Sequence, residues 1–160
     1  RAAVAGAGVI CVEVAGSAYG IPVAEVQEVI GYRRPTRMFH APGALAGITS
    51  LRGEVLPVID LARLLDEGHE EREAALEPRV VVVREQGGAR RRAGLKVDAL
   101  LGLRVVPGSA QRDVPPAILA RLGELVVGVV SEPAPAFALL SVAGILNAPA
   151  LRELSGATLE

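Results

Sequence analysis

Apolar residues in this chain fall mostly at alternate positions, in short runs broken by glycine and proline. Ile10-Cys11-Val12-Glu13-Val14 alternates with period 2, breaks at Gly16-Ser17 and resumes at Tyr19-Gly20-Ile21-Pro22. That pattern predicts a hairpin. Pro22 has no amide donor and belongs at an edge or a strand end. Apolar residues at 23, 26, 29 and 30 have helical spacing but strand-forming side chains. This predicts one helical turn running into a strand.

Arg33 to Pro42 reads as a loop, and Ile48 to Leu51 as a strand. Arg52-Gly53 is a two-residue turn, and Val55 to Ile59 is the returning strand. Asp60 is a suitable N-cap for a short helix from Leu61 to Leu65. Asp66 to Glu77 is charged and predicts a solvated loop or surface helix. The run Arg79-Val80-Val81-Val82-Val83 predicts a buried strand. Gln86 to Arg92, with Gly87-Gly88, is a hairpin tip, and Gly94 to Val106 carries strand signals around Asp98 and Gly102. Pro107 to Pro116 reads as a linker, followed by a short helix over Ala117 to Leu122. Leu125 to Val130 and Ala136 to Leu140 form a further strand pair, and Ser141 caps a helix through Leu146. The remainder is a C-terminal helix or a frayed tail. The two halves thus repeat strands, a glycine turn and a capped short helix. Many short strands between turn signals point to an all-β fold with short helices, closed into barrels.

Composition narrows this picture. With 160 residues, one domain is the default. The chain is 51% hydrophobic and 22% charged, a globular balance. Eighteen Gly and 11 Pro argue against a helical bundle. Net charge is −1, so no global field favours nucleic acid or an anionic membrane. The single cysteine, Cys11, has no internal disulfide partner, which fits a reducing compartment. No apolar run reaches the roughly 20 residues that span a bilayer. The run from Ala2 to Val12 continues into Glu13 and Val14, and its second half reads as a strand rather than a signal segment.

Candidate chemistry is sparse. His40 and His69 lack metal-ligand spacing to each other or to Cys11, and read as exposed histidines. Neither a G-x-S-x-G motif nor a phosphate loop is present. Asp60 and Asp98 read as a helix cap and a strand end rather than a carboxylate pair. Arg90-Arg91-Arg92 is the best nucleic-acid signal, but it lacks interleaved aromatics and reads as a solvated hairpin tip. No catalytic residues, metal or cofactor are expected.

Three patches carry a resemblance: Val26-Gln27-Glu28-Val29, Gly47-Ile48-Thr49-Ser50-Leu51-Arg52-Gly53 and Pro57-Val58-Ile59-Asp60-Leu61. Gly31-Tyr32, the later run Gly94 to Gly102 and Leu139-Leu140-Ser141 follow in the same order. Together they resemble the CheW family, the coupling proteins of bacterial chemotaxis, over roughly Val9 to Leu146. Ser141 stands where that family usually has an aspartate, and Lys96 is unusual in a normally apolar stretch. The resemblance implies two five-stranded SH3-like β-barrel lobes on a shared core. The whole of residues 1–160 is then one CheW-like domain, with a lobe boundary near 66–78 and the chain crossing between lobes.

The resemblance also implies a non-enzymatic, cytoplasmic adaptor recruited to membrane receptor arrays, without membrane insertion or nucleic-acid binding. Its partners would be the regulatory domain of a CheA-type histidine kinase and the signalling tip of a methyl-accepting chemoreceptor. Matched by motif, Val26, Glu28, Gly47, Arg52 and Leu103 fall on the receptor-contacting surface, and Gly53 near the kinase-facing region. Bland alternatives stand beside these roles. Gly47 and Gly53 also suit a bulge and a turn, and Val26 suits a core position. Arg52 is either an exposed turn residue or a brace through a carboxylate. Two other functions stay open at this point. One is a CheW-like module cut from a histidine kinase or a receiver-fused coupling protein. The other is a small-barrel nucleic-acid binder.

Overall fold

Alternation along the first strand turns its side chains into two different interiors. The computed structural model describes residues 7–39, 41–65, 74–132, 134–149 and 151. In it β1 (Ala7–Val14) pairs antiparallel with β2 (Ser17–Pro22), in register from Val9↔Pro22 to Val14↔Ser17. Val9 and Cys11 face a cluster with Val106, Val130 and Phe137, while Val12 and Val14 face a larger one.

After a 3-10 turn at Val23–Glu25 come β3 (Val26–Gly31), β4 (Leu45–Leu51), β5 (Glu54–Asp60), α1 (Leu61–Leu65), β6 (Arg79–Arg84) and β7 (Arg92–Val97). Then follow β8 (Ala99–Val106), β9 (Gln111–Arg112), α2 (Pro116–Leu122), β10 (Val126–Val130), β11 (Phe137–Leu140) and α3 (Val142–Leu146). The turn at Val23–Glu25 running into β3 is the element expected from the mixed spacing there. Both short helices are capped as expected. Asp60 Oδ1 accepts from the Ala62 amide at 3.1 Å, and Ser141 Oγ from the Gly144 amide at 2.9 Å.

The strands form two sheets, in the orders β3-β6-β7-β5-β4 and β8-β1-β2-β11-β10-β9. Each contains one parallel pair, β5 with β7 and β11 with β2, and in each case the strand of that pair with the capped helix behind it is β5 or β11. Two details differ from the expectation. The second sheet has a sixth strand, because Gln111 and Arg112 pair with Val130 and Val129 inside the presumed linker. Backbone pairing of this kind needs no apolar alternation, so it left no pattern to read. The region near 66–78 also connects β5 to β6 within one sheet, and is not where the chain passes between sheets. That happens at Val23–Glu25 and at Asp98, whose amide donates to Glu13 O at 2.9 Å and whose Oδ2 accepts from the Ala15 amide at 2.9 Å. Residues 66–73 of the acidic segment, His40, His69 and the end of the chain after 151 lie outside the described residues.

The five-stranded sheet curls until its end strands nearly meet. Leaving β3, the chain pairs at Thr36 with Ile48 of β4 through two hydrogen bonds of 2.8 Å. Inside this barrel Leu56, Val80 and Val82 pack with Ile30, Tyr32 and Leu51. The neighbouring residues Val81 and Val83 turn outward into the larger cluster. There they meet Val12, Val14 and Ile21 of the other sheet, with Leu61 of α1 and Ile145 of α3. This shared core joins the two lobes. Lys96, polar in an apolar stretch, is accommodated by placing its ammonium 4.6 Å from the centroid of the Tyr32 ring.

A second link between the lobes is ionic. Glu85 is the one buried charged residue among those described, with 5% exposure. It accepts from the Arg91 amide at 2.8 Å and from Arg91 Nη2 at 3.0 Å. The same guanidinium donates to Leu146 O at 3.3 Å and Asn147 Oδ1 at 2.9 Å, where α3 ends. Arg91 is therefore no solvated tip residue. Nor is Arg92, which lies 2.9 Å from Glu54 and 3.5 Å from Gln27 Oε1. A buried carboxylate left without donors costs more than the pair contributes, so burial of Glu85 requires Arg91.

Hydrogen bonds from Arg91 hold the Glu85 carboxyl below the usual range, outweighing the opposing effect of burial. Its stabilising effect is thus present above the ordinary glutamate value of about 4.3 and disappears as the pH falls through the lowered native value. Replacing Glu85 by Gln removes the buried charge and should cost about 1.5 kcal/mol in urea unfolding at neutral pH, the low end for hydrogen bonds to a charged group because Arg91 is 42% exposed. The gap to the parent protein should shrink as the pH is lowered below 4.

Gly47 is a position where backbone geometry demands glycine. It sits at the β4 irregularity with φ of 149°, and an added Cβ would lie 2.3 Å from the Thr36 carbonyl oxygen. Gly47→Ala should therefore lose about 2 kcal/mol or more and loosen the Thr36–Ile48 closure. The control Gly43→Ala, where a Cβ meets nothing within 4 Å, should unfold like the parent.

Candidate functional site

The β4–β5 hairpin closes through Arg52 and Gly53, with φ of 52° and 82°. Two successive positive φ angles match the twist of paired strands, and glycine takes the second at no steric cost. Arg52 is the unusual residue here, a bulky side chain held in a left-handed conformation. Its guanidinium reaches β3, where both Glu28 carboxylate oxygens accept from it: Nη1 bonds Oε2, and Nη2 bonds Oε1 at 2.9 Å. This fork-to-fork pairing fixes both side chains in one plane.

Sheet order explains why the two meet. β3 and β4 are the ends of the curled sheet, so the ion pair spans the seam that Thr36 and Ile48 also close. A register shift between Val26 and Glu28 loosens β3 at this point. Arg92 on β7 lies beside the pair and holds Gln27 and Glu54. The Arg52 hydrogen bond is the main cause that lowers the Glu28 pKa, and the same bond raises that of Arg52. Arg52 remains 70% exposed and Glu28 26%. A pair this exposed contributes little to folding and is accessible to a partner. Of the two roles open to Arg52, the structure has it bracing through a carboxylate.

A second feature lies on the other sheet. β8 is an end strand, and Leu101, Leu103 and Val105 along it are 51%, 64% and 65% exposed. Val106 faces the interior, and Arg104 lies 4.9 Å from the Phe137 ring centroid. Gly8 on β1 leaves space beside this strip. A Cβ there would meet Val23 Cγ2 at 3.2 Å and Leu103 Cδ1 at 3.8 Å, so side chains from the Val23–Glu25 turn and from β8 converge over the same point. Val23, Leu103 and Val105 thus form an apolar strip where the lobes join. Strips of this kind mark interaction surfaces.

The six residues proposed from sequence are not one cluster. Glu28 and Arg52 are bonded, with Gly53 next to them. Gly47 acts through the backbone. Val26 is half-buried and packs against the shared core, while Leu103 belongs to the apolar strip. Sequence reasoning missed Val23 and Val105. Alternation of Leu101, Leu103 and Val105 was visible, but period 2 does not say which face is covered. Among the described residues no three His, Cys, Asp or Glu side chains form a metal-binding group. Burial pushes the Cys11 thiol up, against its Arg104 neighbour, so little reactive thiolate forms.

The model of the CheW-like domain family matches residues 8–151. Protein FrzA of Myxococcus xanthus is 37% identical over 97 residues, 61% of this chain and 58% of that protein. Chemotaxis protein CheW of Rhizobium meliloti is 30% identical over 107 residues, 67% of this chain and 64% of that protein. The chain therefore spans less than two thirds of the length of these relatives. In fold it is similar to the crystal structure of scaffolding protein TtCheW from Thermoanaerobacter tengcongensis, with a TM-score of 0.79, 22% identity, and coverage of 91% of this chain and 95% of that one. With the family match extending from β1 to the residues after α3, the chain belongs to the CheW-like domain family.

Proposed function

We propose that this protein is a non-enzymatic adaptor that couples the signalling tip of a chemoreceptor to a CheA-type histidine kinase. On this reading residues 1–160 are one CheW-like domain, cytoplasmic and recruited to receptor arrays. The observation that carries it is the pairing of an exposed, doubly bonded Arg52–Glu28 brace with an apolar strip at the lobe junction. Leu103, Val23 and Val105 would receive apolar side chains of the receptor tip. The brace would hold the β4–β5 hairpin in the shape the partners meet, with Gly53 on the kinase-facing side. The names of the chemotaxis relatives support this choice of partners. No helix among the described residues is long and apolar enough to cross a membrane. The nucleic-acid reading loses its main support, because Arg91 and Arg92 of the basic run are held by Glu85 and Glu54.

Arg52→Ala should bind a receptor signalling-tip fragment about thirtyfold more weakly, as hot-spot truncations commonly do, with an unchanged melting curve. Early melting together with normal binding would make Arg52 a structural residue only. Leu103→Glu, which places a charge in the apolar strip, should weaken the same titration without moving the melting temperature.

A further inference from the structure

The chain between β3 and β4 carries Arg33, Arg34 and Arg37, all exposed. None of the three has an ion-pair or hydrogen-bond partner among the described residues, whereas Arg52, Arg63, Arg79, Arg91 and Arg92 each have one. Arg34 and Arg37 line a groove of about 330 Å³, with Arg63 reaching it from α1. The one carboxylate in its wall among the described residues, Asp60, is occupied: Oδ1 caps α1 and Oδ2 lies 3.7 Å from Arg63. Three guanidinium groups therefore face one engaged carboxylate, in a chain whose net charge is −1.

We propose that this groove docks a carboxylate-rich segment of a partner protein.

The backbone beneath these arginines is fixed. Pro35 is buried, Thr36 is bonded both ways to Ile48, and the residue before a proline is confined to extended conformations. Guanidinium groups presented from a fixed ledge lose less freedom on binding than groups on a loose loop. Their planar donors match carboxylates two bonds at a time. Nucleic acid suits the groove less well. Single strands gain affinity by stacking bases on open aromatic faces, and the Tyr32 ring in the wall already carries Lys96 on one face. The groove shares no residue with the Arg52–Glu28 brace or the Leu103 strip, so this docking stands apart from the proposed receptor contact.

Fluorescence anisotropy with the full chain tests it, using a labelled Glu-Gly-Glu-Gly-Glu peptide and its Gln-Gly-Gln-Gly-Gln counterpart. The expected result is saturable binding of the acidic peptide alone, weakened by salt. The double variant Arg34→Gln/Arg37→Gln should bind about tenfold more weakly, as the loss of two exposed charge pairs implies. Arg121→Gln, an exposed arginine on α2, should bind like the parent. If the double variant melts early, Arg63→Gln carries the same expectation from the other wall. Absence of saturable binding, an equal loss with Arg121→Gln, or equal affinity for an oligothymidylate of matching charge would overturn the proposal.

Discussion

A strand covered on both faces needs an apolar side chain at every position, and β6 meets that demand from Val80 to Val83. Val80 and Val82 fill the five-stranded barrel, while Val81 and Val83 form part of the wall shared with the other lobe. β1 does the same for the six-stranded sheet, with Val9 and Cys11 inside and Val12 and Val14 toward the shared core. Each lobe lends one covered strand to the interface, so neither has a complete core alone. Burying such residues is worth roughly 1.5–3 kcal/mol apiece, far more than any surface pair returns. The ion pairs therefore shape surfaces, and the valine-rich interface holds the lobes together.

That division explains how the outer surface is free to vary. Glu28 and Arg52 sit on the seam of a barrel already closed by Thr36 and Ile48, so folding does not depend on their charge. The Leu103 strip lies on an end strand whose inner neighbours, Arg104 and Val106, supply its packing. Glu85 and Arg91 are the exception, an ionic contact buried enough to belong to the architecture.

Much of the fold was legible because its signals are local. The Arg52–Gly53 turn, the Asp60 and Ser141 caps and the valine run of β6 each lie within a few residues of sequence. Long-range pairing was not legible from the residues themselves. Nothing near Glu28 indicates a bond to a residue 24 positions later, and the parallel pairing of β2 with β11 has no sequence mark. The exposed sign of the Leu103 face depends on β8 being an end strand, which only topology decides. Arg91 could have been recognised earlier. In a hairpin that pairs Arg84 with Arg92, Glu85 and Arg91 must face one another.

The pairing of β2 with β11 has a consequence for synthesis. The first hairpin emerges from the ribosome early, yet both of its neighbours in the sheet, β8 and β11, come from the second half of the chain. The five-stranded barrel, drawn from the contiguous stretch 26–97, has all its strands just before β8 and well before β11. The strands of one lobe are therefore all present while the N-terminal hairpin still lacks its β11 partner. Unpaired edges attract foreign strands, and the delay grows with every residue between β2 and β11. A nascent chain stalled before Phe137 thus carries an open edge at β2 that β11 is shaped to close.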